Sequence, residues 1–425
     1  MNQSRPPDRL TEGPIIKSLV SLTIPIVFAN ILQTAYQLTD TFWVGRLGKA
    51  AVAAVSLSFP VIFLLTSLGG GLAIAGTILV AQYKGKRDQQ NVDFVTAQTL
   101  ILMLVISVII SFVGYFSAHP VMKLMGAQPA VLPGATSYLQ ISFMGLVFVF
   151  GYAVFQSLMR GVGNFIGMIV LLSGKFGIQL HRKDFKPDFA LIRRMFSLGF
   201  PASIEQSTRA LGMTIMTFLV ASFGTVIIAA YGIGSRILSF VIIPALGLSM
   251  ATSTLVGQNI GAQKIERAEK IARTSALIGF LVLTAVGVVI FFTAGYLSEF
   301  FIPGEPEAIR SSTLFIRVMA LTFGFIGIQQ VLNGAFRGSG NTLVTMVLSI
   351  VSLWVLRFPL AYILSEHTHL ASKGIWWAFP VTNVLAAVIT IAWFMKGSWK
   401  QKKITPEMKT ADKVAEESIV EGEIG

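Results

Sequence analysis

The 425-residue chain is 54% hydrophobic and 12% charged, with a mean hydropathy of +0.72. Soluble globular domains carry about 25% charged residues, so this composition excludes one and points to an integral membrane protein with many spans. The net charge of +13 lies in separated clusters, which argues against nucleic-acid binding, and the lack of cysteine excludes disulfides, thiolate metal sites and cysteine nucleophiles.

Ten apolar segments are long enough to cross a bilayer. The first, 20–44, is too long for a signal-peptide core and lacks a small-residue cleavage site, so it reads as a span. It carries Pro25, Gln33, Tyr36 and Asp40. At about 1.5 Å per helical residue, Asp40 sits about 30 Å beyond Val20, in the far half of the hydrocarbon core. A carboxylate there is costly and faces a cavity or a partner. Two readings stand: an ion- or proton-coupling acid, or an interfacial acid paired with Arg46 or Lys49.

Spans follow at 52–75, 95–116 and 137–158, the last containing Gln156. A remnant at 165–172 would be only about 12 Å long as a helix, too short to cross. Residues 175–194 read as a basic linker. The span at 196–223 carries Pro201, Glu205 and Arg209, and the spacing from Glu205 to Arg209 places both on one helix face. Pro25 and Pro201 each remove a backbone bond inside a span and read as hinges. The remaining spans are 228–250, 274–297, 314–335, 343–364 and 375–395, and 404–425 reads as a polar, disordered tail. The expected fold is therefore an all-α polytopic membrane protein with a lobe at 1–174, a linker at 175–194 and a lobe at 195–403.

Basic residues concentrate in alternate loops: Lys84, Lys86 and Arg87; the 175–194 linker; Lys264 to Arg273; and Lys396 to Lys403. This asymmetry predicts cytoplasmic termini. The halves also repeat. A shift of 176 residues matches Pro25 with Pro201, Gln82 with Gln258 and Gly85 with Gly261, and 14 of 61 positions from Pro25 to Gly85 are identical. With one more residue of slip, Arg160-Gly161 matches Arg337-Gly338. Parallel repeats in transporters enclose a central site around which the halves rock. The second half holds two spans in the 55 residues from Asn341 to Lys396, whereas 11 separate Asn164 from Lys175, so the first half is 44 residues short.

The run of Pro25, Gln33-Thr34, Thr39-Asp40-Thr41, Gly48, Gln82 and Gly85, with the paired Arg160-Gly-Val-Gly-Asn164 and Arg337-Gly-Ser-Gly-Asn341, resembles the multidrug and toxic compound extrusion family. The likeness is nearest its DNA-damage-inducible-F-like prokaryotic branch. It implies twelve helices in two six-helix lobes, and export of cationic or amphipathic, often aromatic, compounds in exchange for protons or sodium. It also implies cation coupling at Asp40 with Tyr36 as neighbour, and a bend at Pro25. The chain departs from the pattern in lacking the fifth helix and most of the sixth, which supply polar partners for the first-helix acid. At the tenth-helix position where a sodium-coupled branch carries an acid, the aligned residue is Ile326.

The repeat separates scaffold from site. Gln82/Gln258 and Arg160/Arg337 occur in both halves and read as packing or loop geometry, whereas Asp40 falls opposite Met216 and Glu205 opposite Ala29. Glu205 reads either as a structural partner of Arg209 or as a cation contact in the second lobe. Gln33, Tyr36 and Gln156 are candidates for a polar pocket around Asp40, with helix–helix hydrogen bonding as the other explanation. No catalytic or metal-binding motif is present, so neither an enzyme nor a cofactor is expected beyond a coupling proton or sodium ion. The expected partners are small-molecule substrates and membrane lipids, and the expected protein is a monomer in a prokaryotic plasma membrane. Two alternatives stay open: a transport-inactive shortened protein, and a flippase for lipid-linked precursors. An arginine-lined groove would mark the flippase, and none is evident along the chain.

Overall fold

The computed structural model describes residues 10–46, 49–129, 131–162, 182–402 and 404. The remnant at 165–172, the start of the linker and the tail after 404 lie outside them. Among the described residues the fold is all-α. The first lobe contributes α1 (Ile15–Arg46), α2 (Lys49–Gly85), α3 (Gln89–Leu124) and α4 (Leu132–Val162). The second contributes α5 (Phe189–Ala221), α6 (Thr225–Val241), α7 (Ile243–Gly261), α8 (Ile265–Phe301), α9 (Pro306–Ala320), α10 (Phe323–Gly338), α11 (Thr342–Ile350), α12 (Phe358–Glu366) and α13 (Ser372–Met395).

Eight helical stretches among the described residues are long and apolar enough to cross, and α9 with α10 forms a ninth, bent by 53°. Helix α5 has 33 residues, ample to span, but carries Glu205 and Arg209 in its middle. Every expected span coincides with a helix or a broken run of helices, although the 196–223 span overruns its helix, which ends at Ala221. Three of them are interrupted. The 228–250 span breaks at Ile242, just before Pro244, which opens α7 where its missing N–H costs nothing. The 314–335 span breaks at Leu321 and Thr322. The 343–364 span contains a π-helical segment, Val351–Arg357, immediately before Pro359.

Helix α1 runs unbroken through Pro25, and α5 through Pro201. Local caps start two helices: Asp88 accepts from the Asn91 amide at 3.0 Å, and Asp188 from Ala190 and Leu191 at 2.8 and 3.1 Å. Gln98, buried on α3, holds the linker. Its amide nitrogen donates to the Asp184 and Lys186 carbonyls at 2.8 and 2.7 Å, and its oxygen accepts from the Asp188 N–H at 3.1 Å.

The lobes interlock instead of standing side by side. Leu19, Leu22 and Ile26 of α1 share a core with Leu248, Leu255 and Leu332 of the second lobe. In mirror fashion, Leu191, Met195 and Leu198 of α5 share a core with Leu72 and Leu79 of the first. Each lobe's opening helix thus packs on the other lobe, a placement that division at the linker does not anticipate. In lipid the gain comes from close packing more than from leaving water.

The repeat residues meet at the end of the bundle that bears the basic loops. Gln82 Nε2 donates to the Gly338 carbonyl at 3.1 Å, and Gln258 Nε2 to the Gly161 carbonyl at 3.0 Å. A Cβ on Gly85 would overlap the Gln258 carbonyl, and one on Gly261 the Gln82 carbonyl, so α2 and α7 cross backbone to backbone. Arg87 and Gln263, also 176 apart, both turn left-handed after these crossings, at φ 61° and 59°. The residues ahead of α1 tie into the same end: Glu12 pairs with Arg87 at 3.1 Å and Lys264 at 3.5 Å, and Asn259 donates to the Leu10 carbonyl at 3.2 Å.

Candidate functional site

Gln33, Tyr36 and Asp40 follow one another at helical spacing along α1, on one face. Gln33 and Tyr36 are exposed, Tyr36 to 72%, and no described residue hydrogen-bonds either. The Asp40 side chain lies outside what is described. Gln156 does not join them. Its amide nitrogen donates to Tyr152 Oη at 2.5 Å and its oxygen accepts from Arg160 at 3.3 Å, so it is held along α4 itself. Among the described side chains Gln156 is therefore not brought to Gln33 and Tyr36, whose helix α1 packs on α7 of the other lobe.

The second lobe holds a different constellation. Glu205, 1% exposed, accepts from Arg209 at 2.7 Å, the i,i+4 pair expected from spacing. It also accepts from Arg337 of α10, whose Nη2 reaches Oε1 at 2.5 Å and whose Nε reaches Oε2 at 3.3 Å. Arg337 is thus more than the repeat-packing residue its match with Arg160 indicates. With both carboxylate oxygens held by guanidiniums, a cation contact at Glu205 would have to displace one of them. The trio is a fixed unit carrying one net positive charge.

Arg209 faces a cavity of about 150 Å³ enclosed by α5, α6, α9, α10, the π segment and α13. The cavity is largely apolar, with Met213, Ile326 and Phe379 in its wall, and its polar lining includes Gln329, Asn383 and Arg357. Arg357 Nη2 donates to Asn383 Oδ1 at 2.6 Å and Nε to Thr382 Oγ1 at 3.2 Å. Its guanidinium stands 4.8 Å from the Phe379 ring centroid. Asn383 in turn donates to Thr322 Oγ1 at 3.2 Å, which leaves its oxygen turned to Arg357. An arginine inside the 343–364 span was a sequence signal in its own right, since intramembrane charge marks function by default. Two arginines from distant segments, Arg209 and Arg357, thus line one cavity.

The MatE family model matches residues 25–180 and 201–363. The chain belongs to the MatE family. Among curated relatives, it is similar to "Probable multidrug resistance protein YpnP" of Bacillus subtilis (strain 168), 26% identical over 441 residues, with 93% of this chain and 98% of the relative covered. It is also similar to "Probable multidrug resistance protein NorM" of Thermotoga maritima, 23% identical, with 92% and 94% covered. Among solved structures, "Crystal structure of MATE in complex with MaL6" superposes with a TM-score of 0.87 at 23% identity, covering 93% of this chain and 99% of that one. This MatE chain is accordingly a polytopic membrane protein with the two-lobed fold of that family.

Proposed function

We propose that the chain is a secondary-active exporter of amphipathic organic compounds, driven by protons or sodium ions returning through the first lobe. The observation that carries this reading is the mirrored junction at the basic end. Gln82 and Gln258 each bond the opposite lobe, and the Gly85 and Gly261 crossings seal that end. Two pseudo-symmetric halves that each pack their opening helix on the other, and whose α2 and α7 cross at Gly85 and Gly261, can rock between a closed and an open state of that end, which is the motion alternating access needs. The relatives' names, multidrug resistance proteins, favour drugs and other xenobiotics as cargo. By the positive-inside tendency of the basic loops we assign the junction and both termini to the cytoplasmic side, and the membrane to a prokaryotic plasma membrane.

Coupling is assigned to Asp40, with Gln33 and Tyr36 on the same face of α1 and Pro25 as its hinge. A cation drives the cycle only if it binds one state better than the other. The open face of α1 bears on that differential. The alignment with the Bacillus relative runs over 441 positions, more than the chain's 425 residues, so the relative has residues that this chain lacks. We place that deficit at the helix pair missing after Asn164. Without the pair, water and lipid headgroups reach the Asp40 region, and coupling is weak.

Resistance assays on four forms of the protein at matched membrane expression test this: the parent chain, the same with Asp40→Asn, the chain with a two-helix insert of about 44 residues after Asn164, and the insert with Asp40→Asn. Strong, Asp40-dependent export is expected only with the insert. Strong Asp40-dependent export by the parent chain would overturn the role given to the missing pair, and none from either form that keeps Asp40 would overturn the exporter.

A further inference from the structure

We propose that the second-lobe cavity binds the anionic group of an amphipathic ligand, a carboxylate, sulfonate or phosphate on a small apolar or aromatic body, with Arg357 as its charged contact. The cavity wall contains two arginines and no carboxylate. Glu205, the acid nearest in the chain to that wall, is already shared by Arg209 and Arg337. Among the described residues no carboxylate lies within ion-pair distance of Arg357. A cationic guest would meet only like charge. An anion supplies the counter-charge that the half-buried Arg357 guanidinium otherwise lacks.

The geometry around Arg357 is that of a held donor. A guanidinium offers five N–H groups in a planar fork. The Thr382 and Asn383 side chains take two of them, on one side, and the Thr322–Asn383 bond fixes the amide that does so. Donors remain on the other side of the fork. Phe379 lies against the cation's face and also forms part of the wall, so a ring-bearing ligand finds apolar surface beside the charge. Ser352, Leu353 and Arg357 of the π segment all line the cavity, shortly before Pro359. Such π turns cost regular hydrogen bonding and recur at functional sites. A volume of about 150 Å³ is the size of an apolar cavity that accepts benzene.

The inference rests on the export reading only for what happens after binding, so it is tested by binding alone. The purified chain in an uncharged detergent is titrated with a matched pair of fluorescent probes, 2-naphthoate and 2-naphthylmethylammonium, read by anisotropy. Naphthoate is expected to bind at least about tenfold tighter. Arg357→Gln should weaken naphthoate about tenfold or more, while Arg357→Lys, which keeps the charge, should hold it within about threefold. A purely structural Arg357 would not make affinity follow the ligand's charge. If the Gln variant does not elute as a folded monodisperse species, Asn383→Ala, which removes the carboxamide that accepts from the fork and donates to Thr322, replaces it and should weaken naphthoate.

Repeating the titration in phosphatidylglycerol and phosphatidylcholine nanodiscs distinguishes the source of the anion. Loss of naphthoate binding in the former alone assigns the site to a lipid headgroup, and equal binding in both assigns it to a soluble organic anion. Ammonium binding as tight as naphthoate, or naphthoate affinity unchanged in the folded Gln or Ala variant, overturns the proposal. Naphthoate binding without drug export would instead remove the export reading and leave the site.

Discussion

Replacing Glu205 by Gln strips the counter-charge from two arginines at once. Their side chains are 27% and 14% exposed, so both are substantially withdrawn from solvent. Breaking a buried ion pair costs about 3–5 kcal/mol, and the residual exposure of the arginines lowers this to about 2–4 kcal/mol. With an unfolding entropy of about 2.1 cal/mol/K per residue, a chain of this length loses about 2–5 °C of melting temperature. The assay is thermal unfolding in detergent of three variants beside the parent: Glu205→Gln; Glu205→Gln with Arg209→Met; and both changes with Arg337→Met. The expected order of stability rises from single to double to triple, with the triple near the parent, because an ionic cluster replaced by apolar groups of similar volume is close to neutral. Spacing alone, which sees only Arg209, has the double variant restored. Full recovery in the double variant would refute the three-membered cluster, and an unshifted single variant would refute its stabilising role altogether.

Gly261→Val forces a side chain into the Gln82 carbonyl, so the α2–α7 crossing should part. A cysteine at Ala81, fully buried in the parent, should then react with a maleimide several times faster, and an unchanged rate would count against a tight crossing. Gln98→Leu cuts three hydrogen bonds to 184–188, each worth about 1 kcal/mol. Trypsin should therefore cleave at Lys186 sooner than in the parent, with the rest of the chain still folded. A single cysteine at Lys186 should be blocked by an impermeant reagent in inverted vesicles and spared in intact cells, and the reverse pattern would invert the assigned topology.

Composition alone determined that this is a polytopic membrane protein, since 12% charge cannot cover a soluble surface. The spans, the repeat and the Glu205–Arg209 pair were legible too, because hydropathy, self-similarity and i,i+4 spacing are properties of neighbouring residues. The repeat likewise singled out Gln82, Gly85, Gln258 and Gly261 without revealing their task. That task is between lobes: each glutamine bonds a carbonyl on the opposite half, and each glycine makes room for the other helix's backbone.

Only the tertiary structure decided the rest. Arg337 reaches Glu205 across 132 residues of chain, a contact set by where the tertiary fold puts α10 relative to α5 and by nothing in either segment. Gln156 bonds Tyr152 and Arg160 of its own helix, while α1 packs on α7 of the other lobe. Arg357 faces a cavity because α5, α10 and α13 supply the walls beside the π segment, which no local period foresees. Local rules fix which residues share a helix face. Which face meets which depends on the packing of helices far apart in the chain, and the Arg337–Glu205 contact is made there.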